Sequence, residues 1–265
     1  MRRLHRAPRI LFTSLVCACA LVNTPAGAQS GLLVRTGMQG YGQGFSSFTA
    51  QINQAFGGSP IQTTTSFASL PAMSAYDAVM VNLEGGLAPV EVANLQAFVE
   101  GGGRALLLGG YNPTWNVSMP QLAAVAGNIS FDGSLGVSMV GRLGQNELTD
   151  GVSTLFGGIP NGWGYWGPGA GALGMFGYEA SGRTYFTILL GGPSSNVLIA
   201  GDAGVFGDPV YSSGDNRLFA SNVSEWLAAS ESDLQNTVTP EPGTALLSIT
   251  GIAALLGLAR RRRAA

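Results

Sequence analysis

Three apolar segments of the sequence each end in polar residues that could take part in chemistry. Glu84 follows YDAVMVNL, Tyr111 and Asn112 follow RALLLGG, and Asp202 follows NVLIAG. If these segments are parallel strands, their carboxyl ends meet at one edge of a sheet, where open α/β sheets bind ligands. One interpretation is that the four residues form a small-molecule or sugar site, whose carboxylates could act as acid and base. The alternative, which we favour, is an inactive crevice whose acids bond to nearby backbone amides.

The side chains that nucleophilic and zinc chemistry require are confined to one end of the chain. The only cysteines, Cys17 and Cys19, and the only histidine, His5, lie within the first 28 residues, and lysine does not occur. A thiolate nucleophile needs a thiol and a base, a Ser-His-Asp triad needs imidazole, and zinc sites are built on histidine or cysteine. We therefore exclude these chemistries and disulfide bonds after residue 28. We therefore name no catalytic residue and expect no cofactor, with calcium as the alternative considered next.

The segment GDAGVFGDPVYSSGDN (201–216) contains the three aspartates Asp202, Asp208 and Asp215. Aspartates in a glycine-rich loop can bind Ca²⁺, which is the one metal that this sequence suggests. The spacing differs from that of an EF-hand loop. Asp215 also stands where a helix is predicted to begin, so a helix cap explains it better. Calcium therefore stays an alternative.

A glycine-rich stretch, GGIPNGWGYWGPGAGALGMFGYE (157–179), contains the aromatic residues Trp163, Tyr165 and Trp166. Exposed aromatic side chains could stack on sugar rings or join neighbouring copies of the protein. The alternative, which we favour, is a hairpin folded over the edge of the sheet with its aromatics buried, because aromatics usually supply core area.

Hydrophobic periodicity predicts the elements that must position these residues. Strands are predicted in GLLVRTG, IQTTTSF, YDAVMVNLEGG, RALLLGG and NVLIAGD. Helices are predicted in FSSFTAQINQAFGG, APVEVANLQAFVEGGG and DNRLFASNVSEWLAAS, the last with Leu218, Phe219, Val223, Trp226 and Leu227 facing inward. Strands that alternate with helices indicate an α/β fold with a parallel sheet covered on both faces. Residues 128–195 have short alternating runs and predict a glycine-rich antiparallel β insertion.

The order of these segments resembles class I glutamine amidotransferase-like, or flavodoxin-like, domains, and within that family its exported branch. The resemblance covers most of residues 31–230 and rests on the hydrophobic pattern and glycines of YDAVMVNLEGG, RALLLGGYN and NVLIAGDAGVF. It implies that an active member would carry a cysteine at the turn after a central strand, with a histidine and a glutamate. The matching turn here, Gly109-Gly110-Tyr111-Asn112, has no cysteine. We therefore expect residues 29–230 to have the fold without the amidotransferase reaction.

The first 28 residues have the features of a secretory signal peptide. Four arginines at positions 2, 3, 6 and 9 precede an apolar stretch over 10–22, and Ala26 and Ala28 form an A-x-A cleavage pattern. We expect signal peptidase to cut after Ala28. An uncleaved N-terminal anchor is the alternative.

The last 26 residues combine three features in a fixed order. Pro240-Glu241-Pro242 follows a polar linker (231–239), an apolar segment (243–259) predicts a transmembrane helix, and four arginines follow, Arg260, Arg261, Arg262 and Arg263. Counted from Pro242, the helix would be about 27 Å long, which just spans a bilayer core. Together the features resemble the PEP-CTERM sorting signal. That resemblance implies recognition by an exosortase-like processing enzyme, removal of the helix and delivery outward, often in bacteria that make exopolysaccharide. A plain membrane anchor is the alternative.

The charge of the central part limits its partners. Residues 29–238 hold five arginines and fourteen acidic residues, a formal charge of −9. Such a surface repels nucleic acid and anionic lipid. We therefore expect an exported protein that is anchored transiently in the inner membrane and then reaches the cell surface or exopolysaccharide matrix, with a binding or structural role. The alternatives are a carboxylate-dependent enzyme acting on polysaccharide and a permanently anchored periplasmic protein.

Overall fold

The structure, a computed structural model, describes residues 31–36, 44–57, 59, 61–69, 73, 75–82, 86–109, 119–157 and 163–229. Outside these residues lie the predicted signal peptide (1–28), linker (231–239), sorting motif and transmembrane helix (243–259), together with Glu84, Tyr111 and Asn112. Within the described ranges, no helix is long and apolar enough to cross a membrane.

Five short strands form the parallel part of the sheet. They lie in the order β2-β1-β3-β4-β11, and every neighbouring pair is parallel. Their ranges are β1 Leu32–Thr36, β2 Ile61–Thr64, β3 Ala78–Asn82, β4 Arg104–Leu108 and β11 Val197–Ala200. All five residues of β4 are buried, as expected for a strand with helices over both faces. The predicted α/β class is thus confirmed.

Among the described residues, four helices with defined bounds cover the two faces of this parallel part. They are α1 (Ser46–Ala55), α2 (Pro89–Glu100), α3 (Met119–Ala126) and α4 (Asn216–Ala228). Helices α1 and α4 share one hydrophobic cluster with alternate residues of the strands, whereas α2 and α3 share the cluster on the opposite face. The sheet is therefore covered on both sides, which agrees with the alternation of strands and helices in the sequence.

One residue predicted to face the core of α4 lies on its surface. Leu218 is 42% exposed, whereas Phe219, Val223 and Leu227 are fully buried. Successive helical residues are about 100° apart, so Leu218 falls outside the arc that Phe219, Val223 and Leu227 share. The prediction for Leu218 was therefore wrong.

The antiparallel part lies where the sequence predicted an insertion. Its strands are β5 Ile129–Leu135, β6 Met139–Arg142, β7 Thr154–Phe156, β8 Trp163–Pro168, β9 Leu173–Ala180 and β10 Arg183–Gly191. β10 pairs antiparallel with β11, so both parts belong to one sheet of eleven strands. The antiparallel strands therefore extend the edge of the parallel sheet that ends in β11.

Candidate functional site

Asp202 lies at the predicted edge but holds the local backbone. It follows β11 after Gly201, and only 3% of its surface is exposed. Its Oδ1 accepts a hydrogen bond of 2.7 Å from the backbone N–H of Gly204, which caps the 3₁₀ turn over Ala203–Phe206. This arrangement matches the alternative in which the acid binds a backbone amide. The predicted convergence of Asp202 with Glu84, Tyr111 and Asn112 stays a prediction, because those three lie outside the described residues.

Other parts of the chain pack against the ends of β4 and β11. Gly164 of β8 donates its N–H to the carbonyl of Gly201 at 2.9 Å, and Ala203 donates to the carbonyl of Gly109 at 2.7 Å. The Met119 side chain lies against both Gly109 and Gly164. A Cβ atom on Gly201 would overlap the Gly164 carbonyl, so this close approach requires glycine. We refer to Gly109, Met119, Gly164 and Gly201 as the glycine joint.

A buried ion pair near the same edge was not predicted. The Nε of Arg35, on β1, lies 2.7 Å from Oε1 of Glu91 in the first turn of α2, and its Nη2 lies 3.2 Å from Oε2. Glu91 also accepts hydrogen bonds from the backbone N–H groups of Phe67 and Ala88, both at 2.8 Å. The signal in the sequence was an arginine within a buried strand, because buried charges are almost always paired.

The pKa of Glu91 follows from these contacts. Burial opposes ionisation and by itself raises the pKa. The hydrogen bonds from Arg35, Ala88 and Phe67, together with the Arg35 charge, outweigh burial and hold the pKa of Glu91 below its ordinary value. A carboxylate that is kept ionised by four hydrogen-bond donors has no proton to donate as an acid catalyst. Glu91 therefore has a structural role.

Each remaining aspartate of the 201–216 segment holds a different part of the chain. Asp208 accepts from the N–H groups of Ser46 and Ser47, both at 2.9 Å, and so caps α1. These hydrogen bonds lower the pKa of Asp208 to about 2. Asp215 accepts from the N–H and hydroxyl of Ser153, at 2.8 and 2.7 Å, and from the N–H of Thr154.

This placement corrects the role predicted for Asp215. It stands at the N-cap position of α4, but its side chain makes no hydrogen bond to that helix. Its contacts with Ser153 and Thr154, which precede and begin β7, lower its pKa. In the part of the chain that the structure describes, no three acidic, histidine or cysteine side chains lie close enough to hold a metal ion together.

The predicted aromatic residues divide into buried and accessible ones. Trp163 and Trp166 are buried, with 0% and 1% exposed surface, and Trp166 donates its indole N–H to the Thr187 carbonyl at 3.2 Å. Neither indole therefore offers a face for sugar stacking. The burial of the two tryptophans agrees with the alternative interpretation, in which the aromatic side chains of this stretch are part of the core.

Tyr165 remains half-buried and belongs to a row of tyrosines. Its ring packs edge to face against Tyr185 on β10, with centroids 5.0 Å apart. Tyr185 lies directly opposite Tyr178 on β9, and Tyr178 is 40% exposed. Directly opposed residues of an antiparallel pair share one face of the sheet. We call Tyr165, Tyr185 and Tyr178 the tyrosine row.

Solved structures share this fold at low sequence identity. The N-terminal domain of mmIFT52 superposes with a TM-score of 0.61 and 12% identity, covering 76% of this chain and 98% of that one. A putative ThuA-like protein from Bacteroides uniformis has a TM-score of 0.54, 13% identity and coverages of 76% and 92%. A putative GMP synthase component from Thermoplasma acidophilum has a TM-score of 0.51, 9% identity and coverages of 78% and 97%.

These similarities support the predicted fold and no particular activity. The distant structural neighbours include glutamine amidotransferase-like proteins, in agreement with the resemblance seen in the sequence. No protein-family model matches the chain, and no curated protein is significantly similar to it in sequence. Identities this low show a shared fold, and function must be argued from the residues themselves.

Proposed function

We propose that this chain is an exported protein that is sorted through its C-terminal segment to the cell surface or exopolysaccharide matrix, where it binds or supports matrix components. The support for sorting is the order of Pro240-Glu241-Pro242, the apolar segment 243–259 and the terminal arginines. The two prolines keep the motif extended, because proline disfavours helix in itself and in the residue before it. An extended site beside a membrane helix suits a processing enzyme of the exosortase type, with signal peptidase acting at the other end.

A non-catalytic role is supported by how the described carboxylates are used. The observation that carries this proposal is Asp202, which caps a turn and directly follows Gly201 of the glycine joint. Glu91 is held in the ion pair with Arg35. With no cysteine or histidine after residue 28, a nucleophile and base of the familiar kinds cannot be assembled there.

The tyrosine row is the described surface that best suits contact with a polymer. Tyrosine combines an apolar ring with a polar hydroxyl, which suits surfaces that are partly wet. Adjacent strands are about 4.8 Å apart, so the row extends about 10 Å across three strands. Because residues 29–238 carry a formal charge of −9, a neutral polysaccharide is a better partner than an anionic one.

The sorting part of the proposal is tested by intact mass spectrometry of the protein from its native cells, fractionated into membrane, surface and medium. We expect a surface or medium species that lacks both residues 1–28 and the segment after the Pro-Glu-Pro motif. A species that retains residues 243–265 and occurs only in the inner membrane would overturn sorting and favour the permanently anchored protein.

The alternative of a polysaccharide-cleaving enzyme is tested with Glu84→Gln and Asp202→Asn. Asparagine keeps an oxygen that can cap the 3₁₀ turn, so Asp202→Asn removes the charge and leaves the cap. In the binding role, both variants associate with the matrix as the unchanged protein does, and none of the three proteins releases sugars. Release of sugars by the unchanged protein that either variant abolishes would overturn the non-catalytic role.

A further inference from the structure

A cleft lies at the edge of the sheet opposite to the predicted site. It has a volume of about 470 Å³ and opens between the C-terminal ends of α2 and α3 and the loop over residues 192–195. Because α2 ends just before β4 and this loop leads into β11, the cleft lies where the parallel strands begin. Its volume falls within the range of pockets that hold small molecules.

Side-chain hydrogen bonds hold the walls of this cleft in place. The Asn128 amide accepts from the N–H of Gly192 at 3.1 Å and donates to the carbonyl of Ala170 at 3.2 Å, so it joins two loops of the rim. Gln96 on α2 donates to the Ala124 carbonyl on α3 at 2.9 Å. The 192–195 loop is thus fixed to its surroundings before any ligand arrives, which lowers the ordering cost of binding.

The loop over residues 192–195 is also held by the residue that follows it, Asn196. Asn196, which is 4% exposed, donates to the carbonyls of Val99 and Gly103, both at 2.8 Å. Ser195 has a φ of 54°, a left-handed conformation that is uncommon for residues other than glycine. Such backbone strain persists where the surrounding structure holds it, and it places Ser195 on the rim of the cleft.

The charges around the cleft favour a positively charged ligand. The C-terminal ends of two helices, α2 with 12 residues and α3 with 8, meet at it, and the C-terminus of a helix carries partial negative charge. The Glu100 carboxylate adds a full negative charge on an exposed side chain. Neither arginine nor lysine occurs among the residues that line the cleft.

We propose that this cleft binds a small organic amine that also carries hydroxyl groups, of the size of one amino-sugar ring. The ammonium group lies toward Glu100 and the two helix ends, where positive charge is stabilised. Hydroxyl groups of the ligand pair with the hydroxyls of Ser194 and Ser195, which can donate and accept. The proposal concerns a surface distinct from the tyrosine row and does not rest on export or sorting.

The test compares glucosamine with glucose, which has the same ring without the amine. Isothermal titration of the full chain in mild detergent should give saturable glucosamine binding and about tenfold weaker binding of glucose. Amide NMR shifts with glucosamine should be largest at Gly127, Gly171 and Gly192, which lie on the cleft wall. Equal affinity for the two sugars, absence of saturable glucosamine binding, or shifts centred elsewhere would each overturn the proposal.

Two variants test whether the carboxylate of Glu100 is the charge that binds the ammonium group of glucosamine. Glu100→Gln keeps the shape of an exposed side chain and should weaken glucosamine binding about fivefold, with glucose binding unchanged. Glu179→Gln, which changes another exposed glutamate, on β9, serves as the matched control and should bind as the unchanged protein does. If both variants lose affinity equally, the effect reflects overall charge, and the assignment of the ammonium to Glu100 is wrong.

Discussion

Arg35 and Glu91, which are 56 residues apart in the sequence, form a buried two-point contact with Nε 2.7 Å from Oε1 and Nη2 3.2 Å from Oε2. The pair joins β1 to the first turn of α2. Because Glu91 also accepts hydrogen bonds from the N–H groups of Phe67 and Ala88, its carboxylate joins three segments near one edge of the sheet: β1, the segment that contains Phe67, and the start of α2.

Removing one member of this pair should destabilise the protein strongly. Glu91→Leu leaves the guanidinium of Arg35 buried without its counter-charge, and breaking a buried pair in this way costs about 3 to 5 kcal/mol. The double variant Arg35→Met with Glu91→Leu removes both charges and should be more stable than Glu91→Leu alone. Urea unfolding followed by tryptophan fluorescence measures the free energy of unfolding of each. Glu179→Gln, exposed on β9, is the control, and a loss for Glu91→Leu no larger than for this control would contradict the role of the pair.

Acid should destabilise the protein through carboxylates that accept backbone hydrogen bonds. The pKa of Asp208 is lowered from 3.8 to about 2. The stability that its ionised carboxylate contributes is therefore fully present above pH 3.8 and is lost as the pH falls toward 2. The lowered pKa values of Glu91 and Asp215 act in the same direction.

The Asp208 contribution is measured by urea unfolding at about pH 5 and about pH 2.5. Asp208→Asn should lower the urea midpoint of unfolding at the higher pH. It should also reduce the difference between the midpoints measured at the two pH values. Asp132→Asn, on β5, is the control for a change in net charge. The assignment fails if Asp208→Asn leaves the pH dependence as steep as in the unchanged protein.

A methyl group at the glycine joint should not be tolerated. In Gly201→Ala the new Cβ meets the backbone carbonyl of Gly164, which cannot move aside as a flexible side chain would. We expect a loss of about 2 to 3 kcal/mol in the free energy of unfolding, the usual effect of overpacking. Gly136→Ala, where the same methyl group has no neighbour within 4 Å, should change stability little. Thermal unfolding of the two variants measures the difference. Similar melting temperatures would show that the glycine joint has room for a methyl group at position 201.

The tyrosine row should contribute to polymer binding without contributing to sorting. Tyr178→Ala and Tyr185→Ala remove contact area from the exposed face of β9 and β10, so each should weaken binding to neutral polysaccharide from the native matrix by about three- to tenfold. Leu218→Ala, an exposed apolar change on α4, is the matched control. Affinity electrophoresis in gels that contain the polysaccharide measures the effect. Equal retardation of all three variants would place the contact elsewhere.

Much of the architecture was readable from hydrophobic spacing. The apolar runs at 32–36, 78–82, 104–108 and 197–200 are strands, and the helical spacing of Phe48, Ile52 and Phe56 marks a buried face. These elements could be predicted because burial leaves a pattern of apolar residues. A strand buried on one face has an apolar residue at every second position, and a strand buried on both faces is a continuous apolar run. A helix buried on one face has apolar residues with a period of 3.6. Leu218 was misplaced because it neighbours the buried arc of α4 in sequence without belonging to it.

The sequence by itself determined which chemistries are impossible after residue 28, because a thiolate or an imidazole base cannot form where cysteine and histidine do not occur. It also determined the alternation of strands and helices. Only the tertiary structure decided what individual polar groups do. Asp208 caps α1, Asp215 binds Ser153, and Arg35 meets Glu91, because backbone N–H groups and charges brought together by folding lie far apart along the chain. The burial of Trp163 and Trp166 and the cleft at the opposite edge likewise depend on how strands and loops pack, which no local spacing encodes.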